Sequence, residues 1–229
     1  LWAVGFTSIS VVGTDDYAAI EDSDIVVVTA GRARRPGETR EDLVRLGMNI
    51  MVGDKENPGI ISQIMRYAPD SIIVMVTNPL DVMTYVAYRV SGFPRTRVMG
   101  QGGMLDSLRF RTLIAEELGV PRWSVRADVV GSHGDAMVPL SRLATVYFYD
   151  SNEEVPLRTL CSEEQITEIA RRTREGGKEI VELAGGAYIA PAAATEAMVR
   201  SVLNKYKQIL PCSVYIEGEY GISGVCVGV

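Results

Sequence analysis

Histidine is almost missing from this chain: there is one, His133, in 229 residues. Chemistry that needs an imidazole near neutral pH therefore has a single candidate. Cysteine is nearly as scarce. Cys161, Cys212 and Cys226 are odd in number and lack metal-ligand spacing, so the simplest reading is free thiols in a reducing compartment, and the expected location is cytoplasmic with no metal site. No apolar run is long enough to span a membrane. Basic residues are not in excess either: 23 Lys and Arg against 29 Asp and Glu leave a net charge of −6. That balance favours neither nucleic acid nor an anionic membrane surface as a partner. There is no internal repeat and no low-complexity tract.

What is present is ordinary globular material, 47% hydrophobic and 23% charged, enough for a core in one large domain or two smaller ones. The chain opens on Leu1, and residues 224–229 read as the middle of a strand. Both ends are therefore read as cut from a longer chain, and the absence of a targeting peptide says nothing about location.

The apolar pattern divides near residue 103. Before it, short β-branched runs alternate with helical stretches: a strand at 9–12, a helical turn at 17–20, and Ile25–Val28, a run expected to be a strand buried on both faces of a parallel sheet. A helix follows over about 40–51, opened by Thr39 and Asp42 in capping-box spacing. Gly53–Gly59 interrupts it, and a second helix covers 60–67. Ile72–Val76 is another apolar strand, Leu80–Val90 a helix, Arg97–Gly100 a short strand and Leu105–Leu118 an amphipathic helix. This alternation predicts parallel strands with right-handed crossovers, a doubly wound sheet. Beyond it, strands are expected at 125–130, 143–148, 209–216 and 224–229, with a long helix from Ser162 to about Leu183 and an Ala-rich one over 191–203. Gly176-Gly177 predicts a kink in the long helix, each glycine costing roughly 1 kcal/mol against alanine. The expected fold is α/β: a doubly wound sheet in residues 1–103 and an α+β catalytic domain in residues 104–229.

Four constellations carry candidate chemistry. Two buried strands end in Thr29-Ala30-Gly31 and Val76-Thr77-Asn78-Pro79, and open α/β sheets bind ligands outside the carboxyl ends of their strands. Plain turn chemistry explains each of these alone. The loop Gly31–Arg40 holds Arg32, Arg34, Arg35 and Arg40 between Gly and Pro residues. It reads either as a solvated charged face or as a lid closing over an anionic substrate. Leu105-Asp106-Ser107-Leu108-Arg109 puts an acid and an arginine on one helix face, as a simple i,i+3 pair or as two working groups. Gly131-Ser132-His133-Gly134-Asp135 sets the one imidazole on a glycine-bounded turn, as a loop cap or as an acid and base.

In this order the motifs resemble the lactate/malate dehydrogenase family, more closely its bacterial malate dehydrogenases that look like lactate dehydrogenase. Further runs carry the resemblance: residues 35–43 (Arg-Pro-Gly-Glu-Thr-Arg-Glu-Asp-Leu), 67–70, 90–94 and 188–195. It implies that His133 is the proton donor and acceptor and Asp106 its carboxylate partner. Arg109 would bind the substrate's C1 carboxylate, Arg40 would polarise the reacting carbonyl, and Asn78 would orient substrate and nicotinamide. Thr29, Ala30, Gly31 and Val76 would line the cofactor, expected to be NAD. Arg34 falls where the family sets substrate choice. An arginine there suits a second carboxylate, since a buried guanidinium facing a methyl group would lack a partner. The implied reaction is malate–oxaloacetate interconversion in a homodimer or homotetramer. The alternatives are another 2-hydroxyacid dehydrogenase of the same fold, or a non-catalytic fragment acting in assembly. One departure stands out: the family's Gly-x-Gly-x-x-Gly turn, part of its first βαβ unit, has no counterpart in this sequence.

Overall fold

The computed structural model describes residues 10–31, 37–184, 187–204 and 208–229. A seven-stranded mixed sheet runs through it. Three parallel strands come first: β1 (Ile25–Val28), β2 (Ile72–Met75) and β3 (Val98–Gly100). Ile25 pairs with Ile72 and Val28 with Met75, while Ile73 pairs with Val98 and Met75 with Gly100. The crossovers are helical: α1 (Arg40–Val52) and α2 (Ile60–Tyr67) between β1 and β2, and α3 (Leu80–Ser91) between β2 and β3. Thr39 and Asp42 form the expected reciprocal capping box on α1, and Gly92 closes α3 in the left-handed conformation. The 53–59 interruption is a tight loop in which the Asp54 carboxylate accepts from the backbone N–H of Glu56 and Asn57.

From β3 the chain enters α4 (Gly102–Leu118), then β4 (Val125–Arg126), β5 (Val129–Gly131), β6 (Met137–Pro139), β7 (Thr145–Phe148) and β8 (Glu153–Pro156). The helices α5 (Leu157–Leu160), α6 (Glu163–Ala184) and α7 (Ile189–Leu203) precede a hairpin of β9 (Ser213–Glu217) and β10 (Ser223–Gly228). The hairpin joins the first sheet, whose order is β1-β2-β3-β9-β10-β5-β6, and β4-β7-β8 form a small antiparallel sheet of their own. Among the described residues no helix is long and apolar enough to cross a membrane.

Several expectations need correction. Residues 10–13 form no strand and are exposed; no strand among the described residues lies beside them to take their hydrogen bonds, and residue 9 lies outside the described set. Among the described residues β1 pairs on one side only, with β2, and it is not buried on both faces: Val27 is 39% exposed. The run 125–130 is two strands in two sheets. The Asp128 carbonyl accepts from Leu140 N–H (2.9 Å), in line with the β5–β6 pairing, whereas the Ala127 carbonyl accepts from Arg111 Nε (2.7 Å) and stands between the two sheets. α4 starts three residues before Leu105, which puts Asp106 in its second turn. The strand over 209–216 begins only at Ser213, and Ile209 is fully exposed. Finally, α6 runs without a break through Gly176-Gly177.

α4 joins two of the three buried clusters found among the described residues. Its Phe110 and Ile114 are fully buried with Val125, Val129, Val146, Leu157, Ile166 and Ile169, while its Met104 and Leu105 pack with Val74 of β2 and Ala194 and Met198 of α7. A third cluster, with Met51, Ile61, Ile64, Ile73 and Met83, lies between the parallel strands and α1–α3. The first two turns of α4 are thereby clamped between the sheet and α6–α7, and they carry Asp106 and Arg109.

Candidate active site

Asp106 is 1% exposed and its carboxylate is shared. Oδ2 lies 2.7 Å from His133 Nδ1, and Oδ1 lies 3.2 Å from Arg109 Nη1. A carboxylate only accepts, so the proton between Asp106 and the imidazole sits on Nδ1. With the Nδ1 position used by Asp106, Nε2 faces away from the pair, and the ring is partly open to solvent. A carboxylate this deeply buried is tolerable because both of its oxygens meet donors.

Local structure explains the placement. β5 delivers the chain to Gly131, and Met137 N–H bonds the Gly134 carbonyl as the chain turns back into β6. Ser107, on α4 beside Asp106, accepts the Val129 N–H through its hydroxyl at 2.8 Å, which docks β5 against the helix. α4 opens on glycine for lack of room: a Cβ on Gly102 would stand 2.8 Å from His133 Cβ and 2.5 Å from Leu80 Cδ2.

Arg109 is the third member. Burial pushes its guanidinium below the usual arginine range, with Asp106 opposing that shift. Its Nε is buried without a hydrogen-bond partner, as is Gln101 Oε1 just after β3. A desolvated guanidinium with an unused edge is a ready site for a carboxylate. The glycine pair of α6 makes space for it: a Cβ on Gly177 would lie 3.3 Å from Arg109 Nη1, and one on Gly176 3.7 Å from its Cδ. The sequence reading treated these glycines as a kink; their place in the structure is as a wall of the arginine's slot.

The remaining expected residues lie at the strand ends. Thr29 and Gly31 are exposed and Ala30 half-buried beyond β1; Val76 is half-buried and Asn78 exposed beyond β2. Thr77 ties the two ends together, its hydroxyl donating to the Ala30 carbonyl at 2.7 Å. Gly31 has φ +149° and stands against Thr77, whose Cγ2 a Cβ there would meet at 3.3 Å. Arg34 lies outside the described residues, and so does the side chain of Arg40, whose backbone opens α1. Among the described residues no three His, Cys, Asp or Glu side chains converge as metal ligands.

Asp81, Ser132 and Ser213 were missed as functional candidates. Asp81 Oδ2 accepts from Ser132 Oγ and from His133 N–H, each at 2.8 Å, and Oδ1 accepts from Ser213 Oγ at 2.6 Å. The available signal was an acid in the first turn after Asn78-Pro79, which reads equally well as complementing the helix dipole.

Parallel strands with helical crossovers define a Rossmann-type α/β protein, and an imidazole–carboxylate–guanidinium group lies beside them. Residues 4–100 match the family described as "lactate/malate dehydrogenase, NAD binding domain", and residues 103–228 match "lactate/malate dehydrogenase, alpha/beta C-terminal domain". The chain is 46% identical over 223 residues to a malate dehydrogenase of Roseiflexus castenholzii, covering 96% of this chain and 68% of that protein. It is 49% identical over 220 residues to malate dehydrogenase 1 of Aquifex aeolicus, covering 94% and 62%. The solved malate dehydrogenase of Aeropyrum pernix superposes with a TM-score of 0.89 at 40% identity, covering all of this chain and 70% of that one. The chain belongs to the lactate/malate dehydrogenase family. It spans about two thirds of the length of these relatives.

Proposed function

We propose that this chain carries the acid–base and substrate-binding part of an enzyme that interconverts malate and oxaloacetate with NAD. The observation that carries the reading is the Asp106 carboxylate shared between His133 Nδ1 and Arg109 Nη1. The relatives named as malate dehydrogenases support the substrate. The matches to residues 4–100 and 103–228 support a division into a nucleotide-binding part and a catalytic part near 103–104.

In the oxidative direction His133 Nε2 accepts the proton of the substrate hydroxyl. Asp106 holds the ring through Nδ1–H and stabilises the imidazolium that forms. Arg109 binds the C1 carboxylate, using the donors that Asp106 leaves free, and so fixes C2 against the base. Arg40 stabilises negative charge on the carbonyl oxygen in the reverse direction, and Arg34 pairs with the second carboxylate. A nicotinamide cofactor, when bound, supplies the acceptor for the hydride of C2. Thr29, Ala30, Gly31, Val76 and Asn78 would hold its ring at the strand ends.

The test is steady-state kinetics on the protein at its full natural length, with oxaloacetate and pyruvate as substrates. His133→Asn should lower kcat for oxaloacetate by about 10²–10⁴-fold; a near-parental kcat sinks the acid–base assignment. Arg34→Gln should shift the kcat/KM ratio towards pyruvate by about 10²-fold or more. An unchanged ratio removes Arg34 from substrate choice.

A further inference from the structure

Asp106 holds the ring of His133; a second carboxylate holds its main chain. Asp81 lies in the first turn of α3, one turn past Asn78. An acid at that position commonly needs no explanation beyond the helix dipole. Here, however, its oxygens are turned off the helix to three donors on two other elements: the Ser132 hydroxyl, the His133 N–H and the Ser213 hydroxyl, at 2.8, 2.8 and 2.6 Å. Pro79 caps α3 without a side-chain hydrogen bond, so the helix end gains no cap from Asp81.

The three donors sit at informative places. Ser132 and His133 form the turn after β5. Ser213 is 1% exposed and opens β9 at the one residue pair joining β9 to β3, Gly100↔Ser213. α3 itself springs from the Thr77-Asn78-Pro79 turn that closes the strand ends. One carboxylate thus joins the strand-end turn, the histidine turn and the hairpin strand. Hydrogen bonds to an ionised acceptor are roughly twice as strong as neutral ones, so the joint is stiff.

We propose that Asp81 is a positioning residue for the reaction: it fixes the backbone of His133 relative to the Asn78 turn, and so sets where Nε2 stands with respect to the ring bound at the strand ends. Asp106 decides which nitrogen is free, and Asp81 decides where that nitrogen is. The proposal rests on the acid–base reading of His133 given above. Without Asp81, Ser132 Oγ and His133 N–H lose the acceptor they share, and the imidazole samples positions from which proton and hydride transfer cannot be aligned together.

The experiment is Asp81→Ala in the full-length protein, read in two ways. The first is kcat and KM for oxaloacetate. The second is the 15N–1H long-range spectrum of the His133 imidazole, whose signals are identified by their loss in His133→Asn. A misplacement on the order of 1 Å costs up to about 10²-fold in rate. The expected result is a kcat lowered by about 10- to 100-fold with KM nearly unchanged, and imidazole signals that shift and broaden while keeping the Nδ1–H tautomer that Asp106 sets. A parental kcat or parental imidazole signals would overturn the proposal. If Asp81→Ala fails to fold, by circular dichroism, the double variant Ser132→Ala/Ser213→Ala removes two of the three bonds and is judged on the same two readouts. Failure of the acid–base reading is separable: His133→Asn would then stay active, while the imidazole signals of Asp81→Ala would still report whether Asp81 holds that residue in place.

Discussion

Gly177 is a residue whose role depends on a side chain far away in sequence. Its α-hydrogen faces the Arg109 guanidinium, and a Cβ would come within 3.3 and 3.4 Å of Nη1 and Nη2. A Cβ on Gly176 would meet only Arg109 Cδ, at an ordinary 3.7 Å. Both glycines are helical and cost roughly 1 kcal/mol each against alanine, so two neighbouring substitutions should diverge. Gly176→Ala should stabilise the protein by up to about 1 kcal/mol in denaturant titration, with KM for the dicarboxylate unchanged. Gly177→Ala forces Arg109 to give by a few tenths of an ångström, and should raise KM several-fold while leaving kcat less affected. Equal KM values for the two variants would show that the slot is not shaped by Gly177. His133, Asp106 and Arg109 were singled out from motif order in the sequence, and the structure brings their side chains together. Asp81, Ser213 and Gly177 were not singled out as site residues. Each acts across a contact between segments distant in the chain, and each has a sufficient local explanation that hides the distant one.

At the scale of elements, α6 shows the same division. Its N-terminus was readable: Ser162 and Gln165 form a reciprocal cap, Gln165 Oε1 accepting from Ser162 N–H at 2.9 Å and Ser162 Oγ from Gln165 N–H at 3.3 Å. Its continuity through the glycine pair was not readable, because packing outweighs a local propensity cost of this size. Ile166 and Ile169 are buried against α4. The cap lies more than three turns from Gly177, so Ser162→Ala should lower stability by about 1 kcal/mol and leave kcat and KM at parental values. A rise in KM would mean that the helix moves as a rod and carries the arginine's slot with it. β4 and β5 make the complementary point. Period-two apolar patterning cannot report that Arg111 takes the Ala127 carbonyl out of the ladder, so one apolar run was read where two sheets each claim half.

At the scale of the molecule, the described residues hold three buried clusters, two of which meet on α4. The mixed sheet extends from β1 through β3 to the β9–β10 hairpin and on to β5, so the strand-end turns and the histidine turn belong to one framework. That predicts a single cooperative unit. Ile64 is fully buried in the cluster under α1–α3, and Ile169 is nearly so in the cluster around α4 and α6. Ile64→Val and Ile169→Val should each cost about 0.5–1.5 kcal/mol. In the double variant the costs should add within about 0.5 kcal/mol, since the sites share no partners. A second unfolding transition in calorimetry, sensitive to one substitution and not the other, would show that the two parts melt separately.

The amino-acid sequence by itself determined the alternation of β-branched runs and capped helices, the helix-capping residues, and the order of the Thr-Asn-Pro, Asp-x-x-Arg and Gly-Ser-His-Gly motifs. All of these are local patterns, set by backbone propensity and by residue spacing within one or two turns. Only the tertiary structure decided that the hairpin after α7 joins the first sheet, that Asp106 is shared between an imidazole and a guanidinium, and that Asp81 bridges three elements. The reason is physical. Hydrogen bonds such as Ser213 to Asp81 join residues far apart in the chain, and their partners are chosen by burial and geometry after packing, which no local pattern encodes.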